Sequence, residues 1–369
     1  MSENTGQFPC SNCGADLKFE PGQNALKCPY CGTENTIETD ETVEITENDY
    51  LSQLRKMEEN LNGAATLDMV SVKCDNCGAI VSLGENKTAG ECVFCGTHLS
   101  GQTRSVKEIA PQSLLPFKIS KKEAAENFKV WLKKRWFAPN KLKEFARMDG
   151  LRGMYSPYWT YDSETTTSYR GQRGDYYYTT ETYTEQVDGK TVTKTRQVRH
   201  TRWSFASGTV RNSFDDILIC GSGNMLPKYT EALEPWDLEN LVPFKEDYLS
   251  GFQVESYSVN LEEGFGKAKE RMAPVIDRTI RRDIGGDEQR ISSKSSSYDD
   301  ITFKHILLPV WISAYKFKDK VYNFMVNART GEVQGNRPWS AVKITLAVLG
   351  FGALIAAGVL AYLYFKGNS

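Results

Sequence analysis

Histidine is scarce in this sequence: among 369 residues there are three, His98, His200 and His305, and none stands in a nucleophile or metal motif. No phosphate-binding loop is present either, because the glycine-rich Gly221-Ser-Gly223 lacks the lysine and flanks that would make it one. Cys220 has no partner cysteine nearby and no evident base, so a buried thiol suits it better than a nucleophile. Together these absences point away from an enzyme. The first residues, Met1 to Gly6, form no apolar stretch, and a cleaved signal peptide is not expected. Charge of one sign is missing too: the formal net charge of -2 argues against a bulk nucleic-acid coat, though not against local basic patches.

What is present begins with cysteine. Eight of the nine fall into four Cys-x-x-Cys pairs, each followed by glycine. Cys10, Cys13, Cys28 and Cys31 form one quartet, and Cys74, Cys77, Cys92 and Cys95 form another. In each, 14 residues separate the inner cysteines, and the second set repeats the first 64 residues later, as a tandem duplication does. Each Cys-x-x-Cys-Gly turn points two sulfurs at one metal, and the glycine lets the backbone curl past the site. Two turns facing one another make a closed tetrahedral Cys₄ site. Zn²⁺ is the metal such sites most often hold, although a rubredoxin-type iron centre uses similar ligands. With no ligand position open to water, two structural zinc ions are expected, and segments this short hardly fold without them. His98 follows a completed ligand set and reads as a surface residue. Free thiols imply a reducing compartment, so the body of the protein is expected in the cytoplasm.

At the other end, Ile344 to Phe365 is a run of 22 residues without charge, bracketed by Lys343 and Lys366. At 1.5 Å per residue it measures about 33 Å, enough to cross a hydrocarbon core. Trp339, Tyr362 and Tyr364 lie near its ends, where amphipathic rings favour the membrane interface. A single-pass cell-membrane protein is expected, with lipid as one partner. Ala353, Ala357 and Ala361, flanked by Gly352 and Ala356, form a small-residue face that leaves a homo-oligomer open.

Between these ends the expected fold class is α+β. Residues 1–38 read as zinc ribbon 1, 39–70 as an acidic linker with a short amphipathic helix (Leu51, Leu54, Met57, Leu61), and 71–103 as zinc ribbon 2. Seven acids and no base lie between Glu34 and Asp49, and a solvated linker explains them most simply. Residues 110–225 and 226–339 read as two related α+β halves, and 343–366 as the transmembrane helix. The duplication is carried by Leu115-Pro-Phe-Lys118 and Val242-Pro-Phe-Lys245, by helix starts at Ser120-Lys-Lys-Glu123 and Asn260-Leu-Glu-Glu263, and by Pro157-Tyr-Trp159 and Pro309-Val-Trp311. Within the first half, 165–205 reads as a long β-hairpin insertion turning at Asp188-Gly189. Its acids (Glu181, Glu185) and bases (Lys190, Lys194, Arg196, Arg199, Arg202) suit cross-strand pairing better than a binding surface. Lys118 to Arg147 carries ten basic residues against three acids, with Trp131, Trp136 and Phe137 among them. An amphipathic helix with an aromatic core face is the simpler reading; anionic lipid or nucleic acid is the other.

The order of two Cys-x-x-Cys-Gly ribbons, Tyr155-Ser-Pro-Tyr-Trp159, Leu308-Pro-Val-Trp311, Asn327-Ala-Arg-Thr-Gly331 and a terminal span resembles a family of bacterial tail-anchored double zinc-ribbon membrane proteins. Its members are described as TFIIB-type zinc ribbon proteins, or as relatives of the primosomal helicase on the ribbons alone. The helicase label finds no support here, because the chain has no Walker motif. Some members are encoded beside PspA-type and SPFH (flotillin-like) proteins. The resemblance therefore implies a membrane adaptor or scaffold that recruits such proteins in an envelope-stress module. The alternative is a membrane-associated nucleic-acid-binding zinc-ribbon protein.

Overall fold

A computed structural model describes residues 8–38, 45–58, 66–82, 90–99, 104–139, 150–187, 190–317 and 320–367. Its centre is an antiparallel ribbon of three long strands, Arg152–Val187, Lys190–Cys220 and Glu288–Phe317, with the first in the middle. From Tyr161 to Gly171 the middle strand buries every second residue (Tyr161, Ser163, Thr165, Thr167, Tyr169, Gly171), as a sheet with one covered face requires. The covering element is the helix Leu261–Ile284. It turns Leu261, Phe265, Ala268, Met272, Ile276, Ile280 and Ile284 inward at helical spacing. Burying each of the larger of these side chains contributes about 2 kcal/mol by the apolar area removed from water. Below Tyr161 the alternation stops: Met154 to Thr160 are all buried, because here the sheet is covered on both faces.

At this buried end the sheet widens to twelve strands. Ser113–Leu114 and Lys320–Asn327 join the third long strand on one side. On the other side Gln253–Glu255, Ile80–Ser82, Thr66–Lys73 and Arg104–Ile109 follow the middle strand in turn.

The segments read as two halves make reciprocal contacts. Pro157 pairs with Leu307 and Tyr155 with Pro309, so the two Pro-x-Trp segments run antiparallel about a shared centre. Trp159 donates its indole N–H to Val259 O (2.9 Å), and Trp311 donates to Ile119 O (2.8 Å). Each acceptor immediately precedes the N-cap of the other half's helix. Both caps form reciprocal boxes, Ser120 with Glu123 and Asn260 with Glu263. Gly221 N–H bonds to Pro157 O, and Ala328 N–H to Pro309 O, in the same manner. The halves are thus interlocked: each tryptophan closes the start of its partner's helix.

The expected hairpin is present and longer than expected. Its strands continue core strands from Arg152 and to Cys220, while the turn at Asp188-Gly189 lies outside the described residues. Glu181 pairs with Arg196 at 3.0 Å and Glu185 with Lys194 at 2.7 Å, so acids on one strand meet bases on the other. The short helix Tyr50–Glu58 is also present, but its buried side chains are Tyr50 and Gln53, while Leu51 and Met57 are exposed. Tyr50 packs against Tyr161 and Phe265, and Leu54, one turn on, is half-buried against the same cluster; Leu61 lies outside the described residues. The end of the acidic stretch is bound rather than solvated: Asn48–Asp49 adds to the sheet beside Thr302–Phe303, and Glu47 meets the buried Lys304 at 2.8 Å. Asp40, Glu41 and Glu44 fall outside the described residues. The strand Thr66–Lys73 begins inside the stretch read as linker. Ala341–Gly367 is one helix, and Ala341–Tyr364 within it is long and apolar enough to span a membrane, with none of that stretch buried.

Candidate metal centres

The four Cys-x-x-Cys-Gly turns share one local geometry. In each, the first cysteine's N–H donates to the carbonyl five residues on (Ala15, Thr33, Ala79, Thr97), and the glycine N–H returns to the first cysteine's carbonyl. The glycines Gly14, Gly32, Gly78 and Gly96 sit at φ between 72° and 78°, a left-handed region that a Cβ disfavours. Space is not the constraint, since a Cβ there would meet nothing within 4 Å.

These turns bring together all eight expected ligands, in two sets. Cys10 and Cys31 sulfurs stand 3.5 Å apart, as do Cys13 and Cys28. The same 3.5 Å separates Cys74 from Cys95 and Cys77 from Cys92. Within each quartet all four sulfurs lie within 4.8 Å of one another. A tetrahedral site with metal–sulfur bonds of about 2.3 Å places its sulfurs about 3.8 Å apart, so both quartets fit a metal ion. Disulfide bonds are far shorter, about 2.0 Å.

The electrostatics support the same conclusion. Hydrogen bonds at Thr33 hold the Cys31 thiol down at about 5. The Ala15 backbone lowers Cys13, but the neighbouring Cys28 and Cys31 sulfurs outweigh it and push Cys13 up to about 12. In the second ribbon burial pushes Cys77 up to about 11, while at Cys95 hydrogen bonds to Thr97 and Asn76 overcome burial and leave it at about 6. Four sulfurs this close do not all ionise unless a cation compensates them, and a divalent metal does so. Thr33 Oγ1 (3.1 Å from Cys31) and Thr97 Oγ1 (3.3 Å from Cys95) hydrogen-bond with the fourth sulfur of each set, a contact that sequence reasoning missed. Their signal was legible: Cys-Gly-Thr recurs at the fourth ligand of both copies.

The two centres are seated differently. Ribbon 1 forms its own three-stranded sheet and packs Leu17, Phe19 and Leu26 into the core cluster that holds Phe117 and Tyr248. Ribbon 2 is part of the central sheet, through Val81 opposite Glu255 and Ser82 opposite Val254. Its Val93 and Phe94 share a cluster with Tyr158, Leu308 and Val310.

Glu255, at this seam, is 2% exposed and accepts hydrogen bonds from Ser222 Oγ (2.6 Å) and Asn224 Nδ2 (3.1 Å). Burial raises its carboxyl from 4.5 to about 7 despite those donors. Its favourable contribution is therefore complete below pH 4.5 and is lost as the pH rises through about 7. The difference in unfolding free energy between wild type and Glu255→Gln should shift against the wild type by about 2.5 kcal/mol from pH 5 to pH 8. A difference independent of pH would show that the carboxyl is solvated.

Beside this seam a cavity of about 330 Å³ is lined by Tyr158, Cys220, Ser222, Glu234 and Arg271, among others. Burial and the Glu255 charge push the Cys220 thiol up to about 12, so it is protonated at neutral pH and a weak nucleophile. His305, also buried, is lowered to about 4 by its burial and is neutral at pH 7; its Nδ1 lies 2.7 Å from Ile109 O.

The chain is similar to the uncharacterized protein YdjG of Bacillus subtilis (strain 168), with 27% identity over 346 residues that make up 91% of each chain. No family model matches it. No solved structure matches it.

Proposed function

We propose that the protein is a membrane-tethered adaptor, in which two zinc-stabilised ribbons and the duplicated body present binding surfaces for other proteins on the cytoplasmic side. One observation carries this reading above the others. The helix Ala341–Gly367 leaves large apolar side chains such as Phe351 and Leu354 uncovered, while both Cys₄ centres are built into the body beside it. The cytoplasmic placement is supported by the eight thiols, which a reducing compartment keeps free for metal. By the resemblance of the sequence, PspA-type and SPFH-type proteins are the first partners to test.

The nucleic-acid alternative rests on the ribbons and on the basic segment from Lys118 to Arg147; the hairpin adds nothing to it at Arg196 and Lys194, which are paired with glutamates. Crosslinking in intact cells, followed by detergent extraction, affinity purification and mass spectrometry, tests the adaptor. A few membrane-associated proteins, retained after nuclease and lost when residues 341–367 are deleted, is the expected outcome. Recovery that disappears with nuclease would reassign the protein to nucleic acid.

A further inference from the structure

The basic segment that the fold does not absorb ends against the start of the span. Helix Lys121–Lys133 turns Ala124, Ala125, Phe128 and Leu132 inward, with Phe128 stacked on Phe324 at 3.5 Å, so most of its apolar face is core. The outward side of its end and the residues that follow behave differently. Lys129, Lys133 and Lys134 are exposed, and Trp136 is 78% exposed although it is one of the largest apolar side chains in the protein.

The loop that carries Trp136 is fastened to the anchor. Ser340 N–H donates to Phe137 O at 2.8 Å, and Lys343 Nζ donates to Ala138 O at 2.8 Å and to Trp136 O at 3.1 Å. Phe137 and Trp339 rings lie 6.3 Å apart, and the Arg337 guanidinium lies 4.5 Å from the Trp339 ring centre. Trp339 is itself 60% exposed. The uncharged run starts at Ile344, one residue after Lys343, so a span that crosses a bilayer puts Trp136, Phe137 and Trp339 within about 10 Å of its edge at 1.5 Å per residue. That is the headgroup layer, where indole rings are stable and cations meet lipid phosphates.

We propose that Trp136, Trp339 and the cations Lys133, Lys134 and Arg135 form a collar that inserts at headgroup level and selects anionic phospholipid. This rests on the membrane reading above. The three hydrogen bonds make the collar continuous with the span, so the body is held against the bilayer. The occupant follows from the charge: three cations occur in succession here, with no acid between Lys129 and Arg135. Arg135, next in sequence to Trp136, lies 4.6 Å from the Trp131 ring centre, a contact that orders its guanidinium.

The test uses the full chain in lipid nanodiscs containing a minor fraction of brominated phosphatidylglycerol or, in parallel, brominated phosphatidylcholine. The Trp136 contribution is the difference in fluorescence quenching between wild type and Trp136→Phe, with metal content measured to confirm that both are folded. Bromine should quench Trp136, and phosphatidylglycerol should do so more strongly, because each cation near an anionic surface enriches that lipid at the collar by up to about fivefold, at roughly 1 kcal/mol. The preference should disappear in Lys133→Gln/Lys134→Gln/Arg135→Gln, while the protein stays in the disc. No quenching difference between wild type and Trp136→Phe would overturn the headgroup placement, and equal quenching by both lipids would overturn the anionic selectivity. Salt-sensitive oligonucleotide binding lost in the triple variant, without a lipid preference, would assign the surface to nucleic acid instead. If the wild type fails to enter discs at all, the membrane reading itself fails, which is a separate result.

Discussion

Cys77→Ser is expected to remove one metal equivalent and to unfold the edge of the central sheet together with its own ribbon. Structural zinc contributes about 10–16 kcal/mol of apparent free energy in small ribbons, comparable with or larger than the whole stability of an ordinary domain. In ribbon 2 that energy does not stay local. Ile80–Ser82 is hydrogen-bonded to Gln253–Glu255, which is itself hydrogen-bonded to the middle long strand. Cys13→Ser should also remove one equivalent, but ribbon 1 has its own sheet and meets the body at fewer backbone bonds, such as Phe19 N–H to Ser250 O and Gly22 N–H to Phe117 O. Elemental analysis and hydrogen exchange separate the two. The wild type should hold about two zinc per chain. Protection at Val81, Ser82, Val254 and Glu255 should be lost in Cys77→Ser and kept in Cys13→Ser. Iron in place of zinc would correct the metal and leave the structural argument intact. Wild type without metal would end it.

The second large effect is expected at Arg329, in the Asn327-Ala-Arg-Thr-Gly331 turn. Asn327 is completely buried, and its Oδ1 accepts from the N–H groups of Arg329 (2.8 Å) and Thr330 (3.1 Å), which sets the turn. Gly331 completes it at φ 80°. The turn aims the guanidinium inward, where its side chain is 11% exposed and that of its partner Asp237 is 24% exposed. Arg329 Nε meets both Asp237 oxygens at 3.0 Å, and Nη1 donates to Pro116 O at 3.0 Å. One side chain therefore ties the opening of the first half to the beginning and the end of the second. Arg329→Ala leaves the Asp237 carboxylate largely buried without its cation and should cost about 3 kcal/mol. Arg329→Lys should recover only part of this, because an ammonium cannot reproduce the planar fork. Chemical denaturation in detergent measures both. A loss below about 1 kcal/mol for Arg329→Ala would mean that solvent already screens the pair.

Local features were the legible ones. A Cys-x-x-Cys-Gly turn is closed by bonds within six residues, so its geometry is written in its own sequence. The capping boxes at Ser120 and Asn260 span four residues and formed as their spelling requires. At Tyr50–Glu58 the same logic found the helix and only part of its packed face, Leu54. Periodicity marks which side chains share a face, but the face that packs here is the one shared by Tyr50 and the half-buried Leu54, because two aromatic rings meet Tyr50, and Leu51 and Met57 stay exposed.

The acidic run shows the same division. Composition made it look solvated, and Lys304, more than 250 residues away in sequence, captured its Glu47. Burying an ammonium is costly unless carboxylates surround it, and Glu47 together with Asp216 at 2.9 Å meets that demand.

By itself, then, the sequence determined two four-thiol sites, one apolar span and the starts of its two principal helices. Each depends on residues close together in the chain, or on a run long enough to need no partner. Tertiary structure alone decided that the halves interlock through Trp159 and Trp311, that ribbon 2 is an edge of the main sheet, and that Trp136 sits beside the anchor. Those outcomes depend on hydrogen-bond acceptors and apolar surfaces far apart in sequence, and only chain closure reveals which of many chemically equivalent partners arrives within reach.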